Sequence, residues 1–206
     1  MNKQFEISLV FITAILKWVL VDGFQLRVIF IPIAFIIWVL FIAYKAKNET
    51  QFFKNSGFTT KSLKASSIIC MTFILSFGAI MLAFAKLNHY NINNYHLVIA
   101  ILLYPFWGLL QQFIVMRFVA ANLKKFKLKS IVIIWVTALA FGSVHIPVWP
   151  LFAATFIIGL MFTSLYIKYK NLWPLGITHG ILGAFFYFYV LNEDPIAQII
   201  SSYNFL

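Results

Sequence analysis

Residues 130–149 read SIVIIWVTALAFGSVHIPVW, an apolar run without Asp, Glu, Lys or Arg and with one ionisable side chain, His145. The hydrocarbon core of a bilayer is about 30 Å thick, and a helix needs roughly 20 apolar residues to cross it. This run has that length and composition. An imidazole at such a depth loses its water and needs a partner, so an ionisable residue inside a span is a functional candidate by default. A second histidine, His179, closes the stretch WPLGITH at 173–179, inside another apolar run. Two of them on separate spans point to one site built between helices.

The rest of the chain has the same character. Of 206 residues, 63% are hydrophobic, 19% aromatic and only 10% charged, and the mean hydropathy is +0.93. A soluble domain of this size cannot hide so much apolar surface, so lipid is the solvent for most of it. Seven runs have span length, at about 5–21, 24–44, 66–86, 96–119, 130–149, 151–167 and 172–191. The expected fold is therefore an all-α polytopic bundle of about seven transmembrane helices, one transmembrane domain over 1–206.

Lysines orient the bundle. Lys3 precedes the first run, Lys45, Lys47, Lys54, Lys61 and Lys64 follow the second, Lys124, Lys125, Lys127 and Lys129 follow the fourth, and Lys168 and Lys170 follow the sixth. The opposite connections carry almost no Lys or Arg, and the stretch after the last run holds Glu193 and Asp194. The positive-inside rule then puts the N-terminus in the cytoplasm and the C-terminus outside. Short loops beside anionic headgroups account for the net charge of +11, so no nucleic-acid partner is expected. No small-x-small cleavage site precedes Asp22-Gly23, and the first run reads as a retained span. Cys70 is the sole cysteine, which excludes an internal disulfide and leaves it a packing role.

Polar groups concentrate in the second half. Residues 1–95 offer little that could react, Lys17 and Arg27 reading as snorkelling side chains near span ends. The lysine-bearing stretch 51–63 reads as a topology anchor with room for an interfacial helix. Tyr104-Pro105 can kink the fourth run, which then carries Gln111, Gln112 and Arg117. Adjacent helical residues point about 100° apart, so one glutamine amide can face a cavity while the other bonds a neighbouring helix. A lone Gln in a span is often structural glue worth about 1 kcal/mol; two with two histidines favour a shared polar site. Arg117 reads as an anchor near the cytoplasmic face. Gly176 and Gly180 flank His179 at a spacing that lets another helix approach closely. All five acidic residues, Glu6, Asp22, Glu49, Glu193 and Asp194, fall near the termini or in loops. Two histidines without a carboxylate or cysteine make a poor zinc site, so neither a metal nor another cofactor is expected.

The order of these motifs resembles that of the CAAX protease and bacteriocin-processing enzymes, a family of intramembrane endopeptidases. That family shows Glu-Glu-x-x-x-Arg, then Phe-x-x-x-His, then His-x-x-x-Asn on successive membrane helices. Phe141 and His145 match the second motif, the stretch from Leu172 to His179 looks like the family's approach to the third, and the basic turn 123–129 lies where the family links the first two. The resemblance covers about residues 100–185 and makes 96–191 the family-like core. Gln111 and Gln112 stand at the Glu-Glu positions, Met116 stands where the family has Arg with Arg117 one step later, and Gly183 replaces the terminal Asn. In the family a glutamate is taken to activate water, while the histidines and the Asn orient it and stabilise the oxyanion. A carboxylate can accept the proton of an attacking water and a neutral amide cannot.

Three readings follow. In the first, the chain is a divergent endopeptidase cutting a membrane-associated peptide or protein, with His145 or His179 as base, Gln112 and Gln111 orienting water or the substrate carbonyl, and Arg117, Phe141 and Gly183 in support. In the second it is an inactive relative that binds peptides or membrane proteins, as an adaptor or bacteriocin-immunity factor. In the third it is a small transporter or channel. The resemblance favours the first two and implies a multi-pass protein of the bacterial cytoplasmic membrane. Helix rise of 1.5 Å per residue puts Gln112 and His179 each about 10 Å from the cytoplasmic ends of their spans, and His145 about 20 Å from its own. A site shared by all three requires the fifth helix to end early, which Pro147 and Pro150 permit.

Overall fold

The computed structural model describes residues 2–203. The protein is all-α and polytopic. With no water in the hydrocarbon region, backbone N–H and C=O groups must pair within each span, and an isolated span can do so only as a helix. The seven apolar runs become α1 (Lys3–Lys17, continued by a π-helical turn Trp18–Gly23), α2 (Arg27–Asn48), α4 (Leu63–Leu87), α5 (Tyr95–Phe113), α7 (Ser130–Ser143), α8 (Trp149–Tyr169) and α9 (Trp173–Tyr189). A second π-helical turn, Ile114–Ala120, and the short α6 (Ala121–Lys125) extend α5. The short α3 (Phe52–Ser56) lies in the lysine-bearing connection, and α10 (Pro195–Tyr203) follows the last span. Five of these stretches are long and apolar enough to cross a membrane, and α7 is a shorter apolar helix. α9, with 17 residues, rises about 25 Å.

The chain divides into two compact units, Met1–Thr59 with Phe113–Lys170 and Thr60–Gln112 with Asn171–Leu206. In the first unit α7 and α8 pack through small residues. A side chain on Gly159 would meet Ala138 Cα at 3.0 Å, and one on Gly142 would meet Phe156 Cβ at 3.1 Å. The second unit builds a core from Ala85 of α4, Leu97 and Ala100 of α5, and Ala184, Phe188 and Tyr189 of α9. One end of this core is closed by Asp194, which accepts hydrogen bonds from Asn94 Nδ2 at 2.8 Å and from the Ala197 N–H at 2.9 Å and pairs with His96 Nδ1 at 2.7 Å. His96 thereby joins the start of α5 to the start of α10.

The fifth run does end early. α7 stops at Ser143, and His145 lies in the turn that follows, ahead of Pro147 and of the Pro150 that opens α8. Proline suits the first turn of a helix, where its missing N–H costs nothing. α9 opens the same way with Trp173-Pro174, and Asn171 Oδ1 accepts the Trp173 N–H at 3.1 Å.

One acidic residue near the N-terminus is buried. Glu6 lies on α1 and is only 3% exposed. Its carboxylate pairs with Lys45 Nζ at 2.8 Å and accepts from Asn122 Nδ2 at 2.7 Å. Lys45 also pairs with Glu49, whose Oε2 receives Arg117 Nη2 at 2.7 Å. Burial pushes the Glu49 carboxyl up, but the Lys45 hydrogen bond and the Arg117 charge outweigh it and hold the group below the usual carboxylate range. Arg117 is thus buried inside the first unit, its guanidinium 5.1 Å from the Phe52 ring centroid and 5.7 Å from that of Phe118. Removing one member of a buried ion pair strands its partner's charge. Arg117→Met is expected to lower stability by about 3 kcal/mol, with Arg117→Lys less damaging, as read by reversible unfolding of the purified protein in detergent.

Candidate functional site

The second unit brings His179 and Gln111 together. α5 and α9 approach at three glycines. A Cβ on Gly176 would lie 2.5 Å from Leu109 Cα, one on Gly180 would lie 2.5 Å from Pro105 Cα and still closer to the Pro105 nitrogen and the Tyr104 carbonyl carbon, and one on Gly108 would strike the Gly176 carbonyl oxygen. Backbones this near are possible only where neither helix carries a side chain at the contact. The glycines that flank His179 in sequence therefore set the helix separation across which its imidazole reaches α5.

His179 Nε2 lies 2.9 Å from Gln111 Oε1, both side chains being half-buried. With the amide oxygen toward the ring, this bond requires Nε2–H as donor and leaves the ring's lone pair on Nδ1. Gln112 points elsewhere, as the 100° step demands. It is completely buried, and among the described residues neither its Oε1 nor its Nε2 has a hydrogen-bond partner. Buried amides are nearly always paired, and an orphan usually marks a functional or water-binding position. By sequence Gln112 is the favoured helper of the histidines; the contact belongs to Gln111.

Gly183 lies one turn beyond His179. The nearest atom to a side chain built there is Tyr104 Cδ2 at 3.9 Å, an ordinary van der Waals distance. Position 183 has room for a side chain, and positions 108, 176 and 180 have none. Cys70 on α4 is buried, which agrees with a packing role for the thiol.

The remaining candidates belong to the first unit. Phe141 is 1% exposed, and its ring meets that of His145 edge-on, with centroids 5.8 Å apart. The four-residue spacing of the two is thus a stacking contact at the end of α7. Arg117 lies within the π-helical turn Ile114–Ala120. A π-turn closes i→i+5 in place of i→i+4 and takes up one extra residue. Among the described residues no group of three or more His, Cys, Asp or Glu could hold a metal.

These features define a multi-pass α-helical membrane protein in which the His179–Gln111 pair is built on two glycine-locked helices. Residues 93–185 match the model of the Rce1-like family, the type II CAAX prenyl endopeptidases, which supports membership of the CAAX protease and bacteriocin-processing family. The matched segment holds Gln111, Gln112, Arg117, Phe141, His145, His179 and Gly183. No match was found among curated proteins or among solved structures.

Proposed function

We propose that this protein is a divergent intramembrane endopeptidase that hydrolyses peptide bonds of a membrane-associated peptide or protein. The observation that carries the reading is the 2.9 Å bond between His179 Nε2 and Gln111 Oε1, inside the segment that matches a peptidase family. In the reading, Gln111 fixes the imidazole so that Nδ1 takes a proton from a water as that water attacks the scissile carbonyl carbon. A positioned imidazole nitrogen is the commonest kind of general base. The resulting oxyanion needs donors held in place, and the Gln111 amide N–H groups are of the right type. The proton then passes from His179 to the departing amine. His145, braced by Phe141, is the second imidazole assigned to the reaction. Arg117 anchors the π-turn, and Gly183 leaves open the space that an asparagine fills in relatives.

The lysine pattern supports a cytoplasmic N-terminus, and the family resemblance supports a bacterial cytoplasmic membrane. A second reading has its own support: no carboxylate stands at 111 or 112, and position 183 is bare. A chain so altered can bind peptide without cutting it, as an adaptor or immunity factor.

Comparing peptide termini in membranes from cells that contain the wild type, His179→Ala or no protein separates the two. New termini with the wild type alone are expected. Identical termini in all three, with both forms restoring the same phenotype to cells lacking the protein, would establish the binder.

A further inference from the structure

α7 ends within an apolar run, and a helix terminus leaves backbone carbonyls that need donors. In hydrocarbon no water supplies them. The turn after α7 satisfies part of the need locally: the His145 N–H donates to Gly142 O at 2.9 Å, Ile146 N–H to Ser143 O at 3.2 Å, and Val148 N–H to His145 O at 3.0 Å. Two further donors come from the first span. Trp18 Nε1–H donates to Ser143 O at 2.9 Å, and Lys17 Nζ donates to Ile146 O at 3.0 Å. These two carbonyls bracket His145 in the chain, two residues before it and one after.

Lys17 is itself held in place. Its ammonium pairs with Asp22 Oδ2 at 2.7 Å, with both side chains about three-quarters buried. Residues five apart on an α-helix point about 140° away from each other. The π-turn Trp18–Gly23 begins directly after Lys17 and closes i→i+5, a spacing that suits the Lys17–Asp22 pair. A cation at the C-terminal end of α7 is also favoured by the helix dipole. Lys17 is therefore more than a snorkelling side chain: its charge is neutralised by one carboxylate while its N–H groups cap a carbonyl 129 residues away.

We propose that Lys17, Asp22 and Trp18 are positioning residues that clamp the turn carrying His145 and so fix its imidazole. All three lie outside the family-matched segment 93–185, so the clamp is a feature of this chain's own first span. The proposal rests on the reading of His145 as a reacting group.

The test uses the full chain in lipid nanodiscs and two readouts. One is the rate at which diethyl pyrocarbonate modifies His145, followed by mass spectrometry with His179 as internal reference. The other is kcat and KM on the peptide that the wild type cuts. Lys17→Met is expected to raise His145 modification severalfold with His179 unchanged, and to lower kcat by up to about a hundredfold at nearly constant KM, the effect of a reacting group moved by about 1 Å. Lys17→Arg should recover most of both readouts. Trp18→Phe keeps the ring and loses one donor, and should move both in the same direction by less. Unchanged His145 modification in Lys17→Met and Trp18→Phe, or equal impairment by Lys17→Arg and Lys17→Met, would overturn the clamp. If the wild type cuts no peptide, the peptidase reading falls, and the modification rates still decide the clamp.

Discussion

Replacing Gln111 by glutamate is expected to raise peptide-bond hydrolysis by about 10²–10⁴-fold, the contribution of a positioned general base. The carboxylate would occupy the place from which Gln111 Oε1 now reaches His179 Nε2 at 2.9 Å. There it can accept a proton directly or hold a protonated imidazole, and a neutral amide can do neither. The side chains are isosteric, so the new charge keeps a hydrogen-bond partner in His179. Gln112→Glu should behave in the opposite way. Position 112 is fully buried with its amide unpaired among the described residues, and an uncompensated charge there is costly. It should lower stability without raising hydrolysis. Steady-state hydrolysis of the peptide identified from the termini comparison measures both variants. A Gln111→Glu protein no faster than the wild type would favour the binder.

The second large effect concerns the helix contact. Gly180→Ala is expected to cost about 3 kcal/mol or more, at the upper end for overpacking, and to abolish function while His179 itself is intact. The added methyl would collide with backbone atoms of Tyr104 and Pro105, and backbone cannot rotate away as a flexible side chain can. α5 and α9 would have to separate, stretching the bond between Gln111 and His179. Gly183→Ala is the matched control, because its methyl would meet only Tyr104 Cδ2 at 3.9 Å. Alanine also suits a helix interior better than glycine by about 1 kcal/mol, so Gly183→Ala should unfold no earlier than the wild type. Unfolding in detergent with hydrolysis in parallel reads both. Equal stabilities for Gly180→Ala and Gly183→Ala would refute the close approach.

The spans were legible because lipid imposes a length and a composition on any helix that crosses it. The glycine-locked approach beside His179 was legible for a related reason: the spacing of Gly176 and Gly180 states which face must be bare. The adjacency of Gln111 and Gln112 limited them to one partner each on that face, but which of them met His179 depended on the rotation of α5, and no local pattern encodes that. The burial of Glu6 was not legible, because position near a terminus says nothing of what packs around it. Only the folded chain brings Lys45, Asn122 and Arg117 around it. The Lys17 clamp was hidden for the same reason, since its acceptor lies in a turn created by the early end of α7. The π-turns, one of which lets Lys17 meet Asp22, leave no mark in a 3.6-residue pattern.

The most direct test of the account is hydrolysis in H₂¹⁸O by the purified Gln111→Glu protein with and without His179→Ala. The account predicts ¹⁸O in the carboxyl of each newly formed C-terminus, and loss of that product when His179 is removed. Labelled product formed equally well without His179 would contradict it.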